Sequence, residues 1–262
     1  WKQETCGKNA KRSYLMVVQK PARELASPNH DSRQPGQRVD MLLIHYTGME
    51  TAEAAFQRLK DPTAKVSAHY VIDEDGQLTR MVDETRRAWH AGVASWGGHT
   101  DINGCSIGIE LVNPGHEFGL RAFPEAQMVA LENLSRRLVT RYSIPKDRVL
   151  GHSDVAPIRK ADPGEMFDWK RLAAAGVGLW PEHMNTGEWA SLHLGDSGAG
   201  VMKMQLDLKN FGYEIDVSGS FGAPTTVVVA AFQRHFRPSN VDGIADRETR
   251  SMLASVMAAR PK

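Results

Sequence analysis

The chain has 262 residues, with 32 Lys and Arg against 31 Asp and Glu for a formal net charge of +1, and is 41% hydrophobic and 24% charged. This is ordinary soluble globular composition, and it gives no electrostatic reason to expect nucleic acid or a membrane surface as partner. No run of about 18 apolar residues offers a transmembrane segment. Two cysteines, Cys6 and Cys105, are too few for a disulfide scaffold and lack the paired spacing of a cysteine zinc site. The length suits one medium domain plus a small one.

The first residues, "WKQETCGKNAKRSYLMVVQ", lack the apolar core of a secretory signal and do not begin with Met, so a removed or replaced leader fits them. Residues 20–38, with three prolines among polar side chains, are expected to form an extended arm on the surface, with regular order starting after it. "VDMLLIHYT" (39–47) reads as a buried strand. "TAEAAFQRLK" (51–60) reads as a short helix started by a Thr cap, and "SAHYVIDEDGQLTRMV" (67–82) as two strands joined at Asp75-Gly76. "CSIGIELVN" (105–113) is a further β-branched run. After Pro124, the residues Met128, Leu131, Leu134, Leu138 and Tyr142 repeat at helical spacing, and "RVLGHSD" (148–154) gives a last short strand.

Strands alternating with helices indicate an α/β domain with a central mixed sheet flanked by helices, spanning 39–181. A loop-rich linker (182–200) leads to a small three-helix domain (201–262), whose helices "VMKMQLDLKNFGY", "TTVVVAAFQRHF" and "DRETRSMLASVMAA" are separated by Gly-rich turns. The phrases "GSFGAPTT" and "DGIADRET" are alike and suggest a short internal duplication.

The chemistry-bearing residues gather in a few places. His45 ends the first apolar strand, and His152 and Asp162 stand ten residues apart in the irregular stretch "GHSDVAPIRKADPGEMF". Two imidazoles and a carboxylate suit catalytic zinc, with a fourth position left for water; spacing alone leaves open whether the three meet. Water activated in this way needs a base and a group to bear an oxyanion, for which Glu110 and Lys160 are candidates. Glu110 lies between Ile109 and Leu111, so it either faces solvent on an alternating strand or is held at a polar site; Lys160 is otherwise a solvated loop lysine. In "RRAWHAGVASWGG" (86–98), the two tryptophans and the histidine serve either as core plugs or as a platform for sugar and peptide.

Taken together, "LLIHYT", "SAHYVIDEDG", "RRAWHAG", "NGCSIGIELVN" and "GHSDVAPIRKADPG" resemble, in order, the successive blocks of the AmpD-like zinc N-acetylmuramoyl-L-alanine amidases. Those enzymes share their fold with the peptidoglycan recognition proteins. The resemblance runs from about Val39 to Trp180. It implies that His45, His152 and Asp162 hold Zn2+, that Glu110 acts as base and then acid, and that Lys160 stabilises the tetrahedral intermediate. It also implies a groove walled by Trp89, His90, Trp96 and Asn103. Asp162 as third ligand, and Ala68 beside His69, are similar to the AmpD-like branch rather than to the phage amidase, which has Cys and Tyr there.

The tail resembles the three-helix peptidoglycan-binding domain, with Ser218-Gly219 and Asp246 departing from its usual pattern. The implied activity is hydrolysis of the amide between N-acetylmuramic, or 1,6-anhydro-muramic, acid and L-Ala of the stem peptide. The alternative is a non-catalytic recognition protein on the same fold. A wall-binding tail favours the periplasm or the outer membrane over a cytoplasmic recycling role, and Cys6 is a candidate for a lipid anchor although no lipobox is visible.

Overall fold

The structure is a computed structural model that describes residues 21–261; Cys6 and the lipid anchor suggested there lie outside it. In chain order the first part contains β1 (Arg23–Glu24), β2 (His30–Ser32), β3 (Met41–Tyr46), α1 (Ala52–Lys60), β4 (Tyr70–Ile72), β5 (Leu78–Arg80) and β6 (Arg86–Ala88). It continues with α2 (Ile102–Cys105), β7 (Ser106–Leu111), α3 (Gly115–Phe118), α4 (Glu125–Tyr142), β8 (Val149–Gly151), α5 (His152–Val155) and α6 (Trp169–Ala174). The C-terminal part is α7 (Ala199–Phe211), α8 (Ala223–Phe236) and α9 (Arg247–Ala259).

Six strands form one mixed sheet in the order β1-β5-β4-β7-β3-β8, antiparallel only where β4 meets β5. The β4–β5 turn falls at Gly76, whose φ of 84° a side chain would resist and where a Cβ would lie 2.6 Å from the Ala126 carbonyl oxygen. Helix α1 starts as the sequence predicts, with the Thr51 hydroxyl accepting from the Ala54 amide at 3.1 Å.

Residues 21–38 stay largely exposed, but the expectation that regular order starts only after residue 38 needs correction. β1 extends the main sheet beside β5, β2 pairs antiparallel with β6, and Ser27 and Asn29 are buried. Arg33 donates to the carbonyls of Glu84, Asn103, Gly104 and Ser106. Proline and polar content mark an irregular backbone, but they do not decide whether that backbone finds carbonyls to bond.

Alternation along the strands sorts the two faces of the sheet. Leu42 and Ile44 of β3, with Ile107, Ile109 and Leu111 of β7, pack under Met128, Leu131, Leu134 and Leu138 of α4. Met41 and Leu43 point the other way, into a core shared with Val201, Leu208, Phe232 and Val256 of the C-terminal helices. His45 continues the second parity, and its register partner Glu110 falls opposite Ile109 and Leu111. The acidic residue inside an apolar run is therefore the one whose parity leads away from the α4 core.

The internal duplication is visible as repeated hydrogen bonding. Buried Gln205 of α7 bonds the Gly219 amide, the Ser220 carbonyl and the Thr225 hydroxyl; buried Gln233 of α8 bonds the Gly243 amide, the Ile244 carbonyl and the Thr249 hydroxyl. Each glutamine stitches its helix to the following turn and to the start of the next helix. Of the two departures in the tail, Gly219 makes this bond with its φ at 74°, and Asp246 caps α9 through the Thr249 amide.

The two parts are also joined at one buried carboxylate. Asp154, two residues beyond His152, accepts from Tyr213 at 2.6 Å and from His235 at 2.8 Å, and binds the Gly151 amide at 2.8 Å. His235 stacks on Trp169 with ring centroids 3.8 Å apart.

Candidate active site

His45 stands at the C-terminal end of β3, and β8 delivers His152 just beyond its own end on the neighbouring strand. The chain then loops out and returns through Asp162, whose carbonyl accepts from the Ser153 amide at 2.9 Å. The return is close: a Cβ on Gly151 would lie 2.7 Å from Pro163. The stretch is irregular because it must bring a second side chain back beside the first.

The three predicted ligands converge. Nδ1 of His45, Nδ1 of His152 and Oδ2 of Asp162 lie 3.0–3.1 Å from one another, all buried. Ligands about 2.0–2.1 Å from a tetrahedral zinc are roughly 3.3 Å apart, so the spacing suits that ion. The far nitrogen of His152 lies 3.0 Å from the Ala91 carbonyl, which can only accept; in the neutral ring its Nδ1 therefore carries a lone pair. Such a lone pair facing a carboxylate oxygen and a second imidazole is a donor set for a cation.

The electrostatics agree. Burial, and then the neighbouring His152, push His45 down to about 4, which favours the neutral, ligating form. Burial alone would raise Asp162, but the charge and hydrogen bonds of His152 and His45 outweigh it and hold the carboxyl well below the usual range.

Above the three ligands lies a cleft of about 640 Å³, lined among others by Tyr46, Trp89, His90, Glu110, His116, Arg159 and Lys160. Part of the Glu110 side chain reaches this cleft, but its Oε2 is shut from solvent and has no partner among the described residues. Burial, and next the Asp162 carboxylate, push its pKa well above the ordinary value, while the Lys160 charge acts in the opposite direction. A carboxylate without partners beside a cation site is a group kept available for a proton.

The four expected groove residues separate. Trp89 lines the cleft. His90 also borders it but is only 8% exposed, and its Nδ1 lies 3.1 Å from His45 Nε2. Trp96 and Asn103 are not among the lining residues, which corrects the expectation for both. Trp96 packs edge-on against Phe211 and Tyr213 of the C-terminal part, where Gly212 leaves room for the indole. Asn103 is buried, with its oxygen accepting from the His90 and Ala91 amides.

Sequence reasoning passed over Arg159, which binds the Ala91 and Val93 carbonyls at the cleft rim, and the Tyr46–His116–Glu165 chain of hydrogen bonds. It also passed over Asp154, whose only available signal was an acidic residue in the same short stretch as His152.

A family model described as N-acetylmuramoyl-L-alanine amidase matches residues 35–165, and a peptidoglycan-binding-domain model matches residues 197–253. The chain is 32% identical to the N-acetylmuramoyl-L-alanine amidase AmiD of Escherichia coli, over 87% of each chain. It is 35% identical to the 1,6-anhydro-N-acetylmuramyl-L-alanine amidase AmpD of Haemophilus influenzae, over 58% of this chain and 91% of the relative. Among solved structures, the complex of E. coli AmiD with anhydro-N-acetylmuramic acid-L-Ala-D-gamma-Glu-L-Lys superposes with a TM-score of 0.73 and 30% identity, covering 92% of each chain. AmpDh3 of Pseudomonas aeruginosa gives a TM-score of 0.70 at 30% identity, over 84% of this chain and 92% of that one.

Proposed function

Because the chain belongs to the N-acetylmuramoyl-L-alanine amidase family and hydrolyses the amide between N-acetylmuramic acid and L-Ala of the stem peptide, we propose that it does so with zinc held by His45, His152 and Asp162. The observation that carries this reading is the convergence of two imidazole nitrogens and a carboxylate oxygen at 3.0–3.1 Å beneath a cleft that Glu110 borders, its Oε2 without a partner among the described residues. When bound, zinc supplies positive charge that polarises the scissile carbonyl and makes the attacking water more acidic.

The remaining chemistry belongs to the protein's own side chains. Glu110 takes the water proton and returns it to the departing L-Ala nitrogen, which fits a carboxyl whose surroundings favour its protonated form. Lys160 lines the same cleft, and its ammonium bears on the oxyanion formed as the carbonyl becomes tetrahedral. Trp89 offers an apolar wall to the sugar or the peptide.

The organisation 39–181, 182–200 and 201–262 is read as amidase domain, linker and wall-binding domain. The match of the tail to a peptidoglycan-binding model supports action where intact wall lies, in the periplasm or at the outer membrane. Incubating zinc-loaded and chelator-treated protein with both 1,6-anhydro-muropeptides and intact sacculi, and identifying released peptides by mass spectrometry, tests the reading. Zinc-dependent release of peptides beginning with L-Ala from both substrates is expected; release from anhydro fragments alone contradicts the wall assignment, and release after full removal of metal contradicts the zinc.

A further inference from the structure

We propose that Asn103, His90 and Ser106 are positioning residues that orient both imidazoles of the metal site, by fixing one dipeptide, His90-Ala91, whose two residues each hold one ligand. The proposal rests on the reading of His45 and His152 as ligands.

The Ser106 hydroxyl has a single hydrogen and sits 2.6 Å from the Ile102 carbonyl, which can only accept, so the hydrogen goes there. Its oxygen, 3.2 Å from His90 Nε2, is then an acceptor, and His90 carries its proton on Nε2. In the neutral ring His90 Nδ1 is a lone pair, and it faces His45 Nε2 at 3.1 Å. His45 must donate from Nε2, which leaves Nδ1 bare and aimed at His152 and Asp162. A backbone carbonyl thus selects the tautomer of a ligand through two intervening side chains.

His152 is served by the next residue. Its Nε2 donates to the Ala91 carbonyl at 3.0 Å. One atom fixes both arrangements, because Asn103 Oδ1 accepts from the His90 amide at 3.0 Å and from the Ala91 amide at 2.7 Å. The neighbouring strand is shaped for this ring, since a Cβ on Gly108 would lie 2.5 Å from His90 Cγ. Partners that fix the free nitrogen of a ligating histidine commonly contribute 10–100-fold in metal affinity.

The test measures zinc affinity by competition with a chromophoric chelator, together with the visible absorption of the cobalt-substituted protein, for wild type, His45→Ala, Ser106→Ala, His90→Leu and His90→Asn. If wild type binds no metal, or His45→Ala binds as tightly as wild type, the ligand reading itself fails. Given wild-type binding, His90→Leu is expected to lose on the order of 10–100-fold in affinity with an altered cobalt spectrum, and Ser106→Ala about tenfold. His90→Asn, whose side-chain oxygen can replace the Nδ1 acceptor, is expected to recover most of the loss. Should His90→Leu fail to fold, Ser106→Ala decides. Unchanged affinity and an unchanged cobalt spectrum in Ser106→Ala overturn the relay, as does a His90→Asn variant no better than His90→Leu.

Discussion

Two glutamates are drawn into the amidase fold, and their surroundings could hardly differ more. Glu84 is 5% exposed and accepts from Tyr70 of β4 and from Arg137 and Tyr142 of α4, with Arg141 of α4 forming a further ion pair, so it ties the segment after β5 to both elements. Glu110, on the cleft face of β7, has an Oε2 with no partner among the described residues. Burial would raise both, but the bonds from Tyr70, Tyr142 and Arg137 bring Glu84 below its ordinary pKa, whereas nothing comparable restrains Glu110, which goes well above it. A buried carboxylate with every lone pair occupied holds a fold together, while one left short of partners weakens the fold and is retained for chemistry.

Substitution by glutamine should separate the two. Glu110→Gln is expected to lower kcat by on the order of 10²–10⁴-fold while zinc content and thermal stability hold or improve, measured by turnover of a muropeptide, metal analysis and calorimetry. Lys160→Met should follow, with a loss on the order of 10²–10³-fold, mainly in kcat. Glu84→Gln should do the reverse, costing about 3 kcal/mol of stability in denaturant unfolding with kcat changed less than about threefold, since it leaves a buried network short of its charge. If Glu84→Gln removes activity at unchanged stability, the contrast between the two residues collapses.

Smaller effects sharpen the same contrast. Tyr213→Phe withdraws one hydrogen bond from the buried Asp154 carboxylate and is expected to cost about 2 kcal/mol. The pH dependence of chelated protein should have opposite signs at the two sites. Glu84 has a depressed folded pKa, so its contribution is present above the ordinary value near 4.5 and fades as pH falls through the folded value; the Glu84→Gln penalty should shrink on acidification. Glu110 has a raised folded pKa, so its protonated form fits the fold best at low pH, and stability is lost as pH rises from about 4.5 toward the folded value. The gain from Glu110→Gln should therefore grow with pH, and parallel curves for the two variants would contradict the account.

Much of this was legible in the sequence, where local pattern carries the information. The strand at 39–47 emerged as Met41–Tyr46, the helix after Pro124 as Glu125–Tyr142, and the three tail helices fell where their apolar spacing put them. The two faces of β7 follow from period-two alternation, which turns the discomfort of an acid among isoleucines into a side assignment. What stayed hidden depends on distant partners. The arm looked irregular because nothing near it says that β5 and β6 offer free edges. Trp96 looked like a groove wall because its glycine-rich surroundings do not reveal Gly212, Phe211 and Tyr213 far along the chain. Asn103 could be placed near the site by its sequence block, but its role depends on two backbone amides that only the fold brings to it.

The most direct test of the central claim is a paired assay on wild type and Glu110→Gln, each loaded with one equivalent of zinc and given a 1,6-anhydro-muropeptide, with products read by mass spectrometry. The account predicts a free peptide beginning with L-Ala from wild type and, from the variant, full zinc occupancy with turnover lower by at least about 10²-fold. Turnover of the zinc-loaded variant within tenfold of wild type would contradict it, and the role of base would have to pass from Glu110 to another group in the cleft.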